Sequence, residues 1–199
     1  GLFQLVKKAF IFLSNNLFSY RTYNLYEKSL SEKNEKEFTP KVPGFTLRII
    51  RTPSEVDKLS ADGFDFGFYQ NIYSIKALLN KGTILFCIFI NKNWAHSSWI
   101  GIDNNAIVDP FFRRTPRHNS GCIGPCATNS AYYGLGLYPY ALSQICKFLK
   151  KNDKHKAVIS TAKKNLASNR GIIKAGFSVC SEGYHLQIGS RWFYREKQT

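Results

Sequence analysis

The sequence is short of acidic residues and of long apolar runs. Asp and Glu together number 13 against 28 Lys and Arg, which gives a formal net charge of +15. After the N-terminal region the longest apolar run is 84–90, far too short to cross a bilayer. No signal peptide is evident, because Lys7 and Lys8 interrupt the apolar segment 2–13 and no cleavage site of small residues follows it. We therefore expect a cytoplasmic protein whose positive surface attracts a polyanion: nucleic acid, anionic lipid or a phosphate-bearing molecule.

Cysteine pairs with the spacing of metal ligands are absent as well. The five cysteines are odd in number and widely spaced, and none forms a Cys-x-x-Cys pair, which argues against a zinc site. Cys122 and Cys126 lie four residues apart on a predicted strand, so we expect both side chains on one buried face. Nothing in the sequence activates either thiol as a nucleophile. This use of cysteine is typical of a reducing compartment, and we expect no metal.

The 199 residues suffice for one domain with a substantial core, which we place at 44–199. In front of it, residues 1–43 are predicted to form an aromatic and basic helical extension followed by a linker. Apolar residues recur at helical spacing within 2–13, and a segment of mixed charge with two prolines completes the region. We expect the helix to pack on the domain; the alternative is that residues 1–26 lie on a membrane surface.

From Phe45 onward, predicted strands and helices alternate. The predicted strands are 45–51, 83–90, 94–102, 121–128, 157–161, 177–180 and 184–194. The predicted helices are a short one capped by Ser54, then 72–79, 138–150 and 166–174. The crossover from 121–128 to 157–161 is a parallel, right-handed βαβ unit, and strands joined by short turns, one of them at Glu182-Gly183, pair antiparallel. The sequence therefore predicts an α/β fold with a mixed, mostly antiparallel sheet, one parallel crossover and helices on both faces.

A loop with two glycines joins the predicted strand 121–128 to the next helix. Gly134 and Gly136 lie one residue apart, and Pro139 falls in the first helical turn, where its missing N–H costs nothing. Such a turn aims backbone N–H groups outward at a helix N-terminus, where the helix dipole favours an anion. The loop is not a Walker A motif, since no Gly-Lys-Ser/Thr follows, and it lacks the third glycine of a dinucleotide-binding fingerprint.

A second motif begins with Asn165 after the next predicted strand, has Ser168 three residues later, and ends with Gly176-Phe177 after a helix. The two motifs together resemble those of the GCN5-related N-acetyltransferase (GNAT) family, in which the loop reads Arg/Gln-x-x-Gly-x-Gly/Ala and binds the pyrophosphate of acetyl-CoA. The resemblance spans roughly 45–194. It implies a GNAT-like fold, acyl transfer to an amine, and acetyl-CoA as the donor. The cofactor-binding residues that it implies are Cys126, Ala127, Thr128, Tyr133, Gly134, Leu135, Gly136, Leu137, Tyr138, Asn165 and Ser168.

Two features depart from the family's pattern. Tyr133 and Tyr138 stand where the loop motif has Arg/Gln and Gly/Ala. Because backbone amides hold most of the pyrophosphate, we expect binding to survive this change. Ile172 stands where many members of the family have a tyrosine that protonates the leaving thiolate, so the source of that proton stays open.

Candidates for a catalytic base are few. His96 lies on the strand beside 121–128 and is the catalytic candidate, because imidazole transfers protons readily near neutral pH; a purely structural role is the alternative. Asp65 and Tyr69 lie where the family has its first substrate loop, and Asp109 lies in the loop before 121–128. These three are the candidate contacts for the amine, although Asp109 precedes a proline and also suits an ordinary turn.

The sequence thus predicts an acyl-CoA-dependent N-acyltransferase, most simply one that transfers acetyl to a primary amine of a small molecule or amino sugar. Three alternatives stay open: a binding module that has lost catalysis, a transferase of the same fold that uses aminoacyl-tRNA, and a basic binder of nucleic acid or membrane surfaces. The glycine loop argues against tRNA, which needs no pyrophosphate site, and we expect no nucleic-acid partner. The segment 147–174, with nine Lys and Arg against one Asp, places positive charge beside the proposed phosphate loop.

Overall fold

The computed structural model describes residues 18–31, 37–67, 72–102, 119–189 and 191–198 of the chain. In chain order its elements are β1 (Phe18–Ser29), β2 (Phe45–Ile50), α1 (Pro53–Ala61), α2 (Ile72–Leu79), β3 (Ile84–Ile90), β4 (Asn93–Gly101), β5 (Ser120–Thr128), α3 (Leu137–Lys151), β6 (Lys156–Ala162), α4 (Leu166–Lys174), β7 (Ser178–Ile188) and β8 (Arg191–Gln198). No helix within these ranges is both long and apolar enough to cross a membrane.

The strands form a single sheet in the order β2-β3-β4-β5-β6-β1-β7-β8. β5 and β6 pair in parallel, and the other neighbours pair antiparallel. α3 provides the crossover between the two parallel strands. The predicted fold class, a mixed and mostly antiparallel sheet with one parallel βαβ unit, is confirmed.

Alternate side chains of β3 attach two layers of helices to the sheet. Phe86 packs against Phe148 of α3 with the ring centroids 5.3 Å apart, in a cluster that α4 also joins. Phe89 belongs instead to a cluster with Val56 of α1 and Ile75 of α2. Because neighbouring side chains of a strand point to opposite faces, α1 and α2 lie on one face of the sheet, and α3 and α4 on the other.

β1 contradicts the prediction for the N-terminal region. The sequence pattern predicts a helical extension and linker through residue 43, but residues 18–29 form a strand between β6 and β7. Tyr23 is buried and pairs with Ala162 of β6 and Gly183 of β7. These partners lie far away in the sequence, so local periodicity does not reveal them. The prediction is therefore wrong for 18–29, while residues 1–17, with most of the predicted helix, lie outside the described residues.

Two local predictions also differ from the structure. Thr52 rather than Ser54 caps α1: its Oγ1 accepts a hydrogen bond from the N–H of Glu55 at 3.4 Å, and the Glu55 carboxylate accepts one from the N–H of Thr52 at 2.9 Å. The turn expected at Glu182-Gly183 is absent from the described strand, because β7 runs through both residues. The chain turns instead at Gly189, whose φ of +58° suits glycine.

Candidate functional site

β5 and β6 separate after a short stretch of pairing. They pair from Ser120 with Lys156 to Ile123 with Ile159; beyond that point β5 continues beside β4, and β6 continues beside β1. Gly124-Pro125 lies at the point of separation. Proline has no N–H to donate to a neighbouring strand, and the register of β5 against β4 shifts here too. Among the described strands, the end of β5 therefore has one neighbour instead of two, and a gap opens in the sheet beside it.

The same irregularity overturns the prediction that Cys122 and Cys126 share a face. Cys122 is buried in the cluster formed with α1 and α2, whereas Cys126 packs against the cluster formed with α3 and α4. β5 has one more residue than β4 between the paired positions on either side of Gly124-Pro125, so the alternation of its side chains is reset. The two thiols consequently lie on opposite faces of the sheet, and only that of Cys126 faces the region around the gap.

The glycine loop brings backbone amides to the mouth of this gap. Gly134 and Gly136 both have a φ of +78°, a left-handed conformation that glycine adopts without steric penalty. Gly136 is the N-cap of α3 and offers no capping side chain. The amides of Leu137 and Tyr138 thus begin the helix without a side-chain cap from the described residues, a geometry suited to an anion.

The backbone conformation of the loop also shows how its residues align with the family's motif. The resemblance to the GNAT loop motif aligns Tyr133 and Tyr138 with the first and last positions of Arg/Gln-x-x-Gly-x-Gly/Ala. Gly134 and Gly136 share one backbone conformation and lie one residue apart, which fits the Gly-x-Gly/Ala half of the motif. In this corrected frame Ala131 occupies the first position, and Tyr138 follows the motif on the first turn of α3.

A cavity of about 640 Å³ lies between the glycine loop, the end of β5 and α4. Every residue that the resemblance assigned to the cofactor lines it except Leu135, whose carbonyl accepts a hydrogen bond from the N–H of Lys41 at 2.8 Å. The lining residues are His96, Cys126, Ala127, Thr128, Tyr132, Tyr133, Gly134, Gly136, Leu137, Tyr138, Pro139, Asn165, Ala167, Ser168, Gly171 and Lys174.

Five of these lining residues were not predicted from the sequence as site residues. Tyr132 and Pro139 flank the loop, and Ala167, Gly171 and Lys174 follow one another at helical spacing on α4. Residues at this spacing share one face of a helix. The spacing is therefore the signal by which the sequence could have indicated that this face lies opposite the loop. Among the described lining residues Lys174 alone carries a charge at neutral pH, and none is a carboxylate.

Asn165 has a structural role at the mouth of the cavity. Its Oδ1 accepts a hydrogen bond from the N–H of Ser168 at 3.2 Å and so caps α4. Asn169, one turn further along, is buried, and its Nδ2 donates to the carbonyls of Ala162 and Asn165 at 3.0 and 2.7 Å. The two asparagines hold the start of α4 against the end of β6, which positions Ser168 on the cavity wall.

His96 lies in a group of four neighbouring side chains on β4 and β5, the others being Ser98, Cys126 and Thr128. It pairs across the strands with Thr128, as Ser98 does with Cys126. The Nδ1 of His96 lies 2.7 Å from the Oγ1 of Thr128, and its Nε2 lies 2.9 Å from the Oγ of Ser98. The ring has no exposed surface, and burial lowers the pKa of His96 to about 3. The buried, neutral ring, with both nitrogens hydrogen-bonded, supports the cavity wall, and the structure therefore argues against the predicted role of His96 as a base that contacts the substrate.

Cys126 and Tyr138 meet in the lining of the cavity. The thiol of Cys126 is hydrogen-bonded to the side chains of Ser98 and Tyr138, and burial raises the pKa of this thiol to about 11. Burial also raises the pKa of the Tyr138 phenol. Both groups are therefore neutral at pH 7, and Cys126 is not an activated nucleophile.

The ring of Tyr138 rests directly on Gly171 of α4. A Cβ added at Gly171 would lie 2.6 Å from the Cδ1 of Tyr138, closer than real Cβ contacts come. The same ring stands 5.6 Å from the ring of His96, centroid to centroid. The missing side chain at Gly171 thus provides the space in which Tyr138 crosses from α3 towards β5.

The position that carries the proton-donating tyrosine in many GNAT enzymes faces away from the cavity in this chain. Ile172 has no exposed surface and packs in the core with Leu142 and Phe177. The adjacent Gly171, by contrast, lines the cavity. A side chain at position 172 therefore contributes to the core rather than to the cavity.

Of the three predicted amine contacts, the structure describes Asp65. Its carboxylate accepts a hydrogen bond from the N–H of Gly67 at 2.7 Å, and its own N–H donates to the carbonyl of Lys92 at 2.9 Å. These are the contacts of a turn beside the β3–β4 hairpin, and Asp65 does not line the cavity. Tyr69 and Asp109 lie outside the described residues.

Ion pairs neutralise part of the positive segment 147–174. Three of its lysines pair with glutamates from other parts of the chain: Lys147 with Glu37 at 2.9 Å, Lys156 with Glu27 at 3.3 Å, and Lys163 with Glu182. Among the basic residues of this segment, Lys174 is the one in the cavity lining. The positive charge beside the glycine loop is consequently smaller than the sequence count indicates.

No model of a known protein family matches the sequence, and no curated protein matches it. Solved structures do match. A GCN5-related N-acetyltransferase from Sphaerobacter thermophilus superposes with a TM-score of 0.53 at 14% identity, over 97% of this chain and 57% of that one. A GNAT-family acetyltransferase from Colwellia psychrerythraea gives 0.57 at 12% identity, over 91% and 61%. A tandem GNAT protein from the clavulanic acid biosynthesis pathway gives 0.57 at 10% identity, over 96% and 58%.

The chain spans about 57% to 61% of the length of these three proteins. Identities this low establish the likeness of the fold and nothing finer. The parallel pair that separates after Ile123, and the glycine loop that follows β5, are the parts of the fold on which the cavity depends. The chain has the fold of the GCN5-related N-acetyltransferases.

Proposed function

We propose that the protein is an acyl-CoA-dependent N-acyltransferase that transfers acetyl from acetyl-CoA to a primary amine of a small molecule or amino sugar. One observation carries the proposal: a single cavity joins the helix N-terminus after the glycine loop to the open edge of β5. An anion site and an unpaired strand edge in one cavity suit a ligand that carries phosphates at one end and an amide-bearing arm at the other.

The residues present fit such a ligand. The amides at the start of α3 suit the pyrophosphate, because no side chain of the described residues caps them and they lie at the positive end of the helix dipole. Past Gly124-Pro125 the edge of β5 that faces away from β4 has no described strand partner, so it suits the peptide-like groups of pantetheine. Bound acetyl-CoA supplies a thioester whose carbonyl an amine attacks, which releases CoA as a thiol.

The chain's own contribution to that reaction is mainly to position the reactants. Backbone amides and fixed walls hold two reactants in one geometry, which replaces a bimolecular encounter. The described lining has no carboxylate, and His96 is enclosed. We therefore propose that the amine loses its proton to solvent water, so that the rate rises with pH until the amine is neutral.

A binding module without catalysis is the second candidate. It is supported by the burial of Ile172 in the core and by the lack of a carboxylate among the described lining residues. Such a protein would bind CoA through the same loop and strand edge but would release no thiol when acetyl-CoA and amines are supplied.

Calorimetric titration with CoA tests the proposal first. Gly134→Trp is expected to abolish saturable binding while the far-ultraviolet circular dichroism stays native. Gly82→Trp is the matched control, because Gly82 has a φ of +81°, similar to that of Gly134, and neither has an atom within 4 Å of an added Cβ. Gly82 does not line the cavity. Absence of CoA binding to the wild type at millimolar concentration would reject both candidates.

Thiol release then separates the two candidates. Acetyl-CoA and a panel of primary amines, including amino sugars, are supplied to the wild type and to Gly134→Trp. Thiol release that depends on the amine and is lost in Gly134→Trp supports acyl transfer. Binding of CoA with no thiol release for any amine supports the binding module without catalysis.

A further inference from the structure

An exposed aromatic side chain lies at the start of the glycine loop. Tyr133 is 68% exposed and directly precedes Gly134, and both residues line the cavity. Within the described part of the chain, the ring of Tyr133 has no stacking partner and its hydroxyl forms no hydrogen bond. Single exposed aromatic residues are common on protein surfaces. The position of Tyr133 beside a site suited to an anion, rather than its exposure alone, therefore suggests a ligand for the ring.

The neighbouring Tyr132 has a different environment. Its side chain is half-buried and packs against the core cluster that contains Leu137. Tyr132 is the last residue of a short 3₁₀ helix, and Tyr133 follows it in an extended conformation. The N–H of Tyr133 donates to the carbonyl of Ser130 at 3.3 Å. The core and this hydrogen bond thus hold the backbone that carries the exposed ring of Tyr133.

The cavity lining differs in exposure between β5 and the loop. The lining residues 126–128 of β5 are half-buried, and His96 of β4 is fully buried. The exposed lining residues belong to the loop, the start of α4 and its end: Tyr133, Gly134, Asn165, Ala167 and Lys174. The proposed function lays the pantetheine arm along β5 and the pyrophosphate at the start of α3. The 3′-phosphoadenosine on the other side of the pyrophosphate then lies away from β5, where the lining is exposed.

The ring of Tyr133 is within reach of that part of the ligand. Tyr133 lies four residues before Leu137, the first residue of α3, so their Cα atoms are no more than about 14 Å apart. Gly134 and Gly136 are left-handed, so the loop is not fully extended and the distance is shorter than this limit. A nucleoside and a tyrosine side chain together bridge such a distance. The face of a purine base stacks favourably on an aromatic ring.

We propose that Tyr133 stacks on the adenine base of CoA and thereby makes the protein prefer a donor that carries a nucleotide. The inference rests on the proposed function and goes beyond it. It assigns the residue that distinguishes CoA from a donor whose pantetheine arm ends in phosphate without a nucleoside. Loss of one aromatic stacking partner weakens the binding of a base by roughly 5- to 150-fold. The aromatic face makes this contact, so the phenol hydroxyl is dispensable.

Calorimetric titration with CoA measures the contribution of the ring. Tyr133→Ala should raise the dissociation constant of CoA by at least about 5-fold, whereas Tyr133→Phe, which keeps the ring, should leave it within about 2-fold of the wild-type value. Tyr20→Ala is the matched control, because Tyr20 is 56% exposed on β1 and does not line the cavity. It should leave the dissociation constant of CoA unchanged.

A second ligand separates stacking from a change in the backbone of the loop. Pantetheine 4′-diphosphate keeps the arm and the pyrophosphate of CoA but lacks the 3′-phosphoadenosine, so Tyr133→Ala should bind it as the wild type does. In nuclear magnetic resonance spectra, the adenine protons of CoA should shift upfield on binding to the wild type, and less on binding to Tyr133→Ala.

Two results would overturn the stacking while CoA binding still supported the proposed function. One is an equal dissociation constant of CoA for the wild type and Tyr133→Ala. The other is a loss of affinity in Tyr133→Ala that is the same for CoA and for pantetheine 4′-diphosphate. Failure of the wild type to bind CoA would reject both proposals.

Discussion

The hydroxyl of Tyr23 on β1 occupies the place that a side chain at Gly183 on β7 would need. A Cβ built on Gly183 lies 2.2 Å from the Tyr23 oxygen and 2.7 Å from the carbonyl oxygen of Arg195. Tyr23 and Gly183 are register partners in the sheet, and the Tyr23 ring stacks on Tyr194 of β8 with the centroids 6.2 Å apart. The glycine thus lets one aromatic side chain connect three strands, which fixes the register of β1.

Gly183→Ala is expected to destabilise the fold strongly. The added methyl group has no room, because one of its neighbours is backbone and the other is a buried ring. We expect a loss of about 1–3 kcal/mol or more in the free energy of unfolding, measured by urea denaturation. Ser178→Ala, at an exposed position of the same strand, should change it by less than about 0.5 kcal/mol. Equal midpoints for the two variants would contradict the packing described for Tyr23.

His96 is expected to make stability fall on the acidic side of neutrality. Burial lowers the pKa of His96 to about 3 in the folded chain, whereas an unfolded histidine titrates near 6.5. The unfolded state therefore binds the proton first. The contribution of neutral His96 to the free energy of unfolding is fully present above pH 6.5. It is lost at about 1.4 kcal/mol per pH unit as the pH falls from 6.5 towards 3.

Urea denaturation of the wild type and His96→Gln at several pH values measures this contribution. By pH 5 the loss amounts to about 2 kcal/mol, so the stability difference between wild type and variant should shrink by that amount between pH 7.5 and 5. His155→Gln, at an exposed position, provides the control. A difference between wild type and His96→Gln that does not vary with pH would show that His96 is not held neutral.

Cys126 is expected to resist alkylation in the folded protein. Burial raises the pKa of its thiol to about 11, so only roughly one molecule in a thousand carries the reactive thiolate at pH 8. Iodoacetamide labelling at Cys126, followed by site-resolved mass spectrometry, should be at least about 100-fold slower in native buffer than in urea. Similar rates in the two conditions would mean that the thiol is exposed or activated.

Ile172→Tyr is expected to weaken the fold without supplying a proton donor to the cavity. The side chain of Ile172 is fully buried among other core residues, so a larger and more polar side chain overpacks the site. We expect a loss of about 1–3 kcal/mol in unfolding free energy and no gain in the rate of thiol release. Ile172→Val provides the control for a conservative core change and should cost less. Faster thiol release by the tyrosine variant would show that position 172 faces the reacting groups.

Much of the fold could be predicted because its signals are local. The apolar run of β3, the turn before β4 and the helical spacing of α3 and α4 all appear in the sequence where the structure has them. The glycine loop could be placed as well, because Gly134 and Gly136 precede a helix that begins with a proline in its first turn. These signals rest on backbone conformation and periodicity, which depend on neighbouring residues alone.

The rest depends on contacts between distant parts of the chain. β1 has no pattern that separates it from a helical extension, since its partners are β6 and β7. In the sequence Tyr138 is only a departure from the motif, because nothing local indicates that its ring lies against the bare backbone of Gly171. The sequence makes His96 a candidate base, because it does not reveal the hydrogen bonds that the ring forms with the hydroxyls of Thr128 and Ser98.

The place of β1 in the sheet determines how the molecule folds. The ribosome makes this strand long before β6 and β7, the two strands between which it pairs. Contacts of such large sequence separation slow folding, because a long loop must close before they form. Until β1 enters, β6 and β7 each present an open edge that another chain can join. We therefore expect entry of β1 to close both edges at once and to reduce the aggregation of the nascent protein.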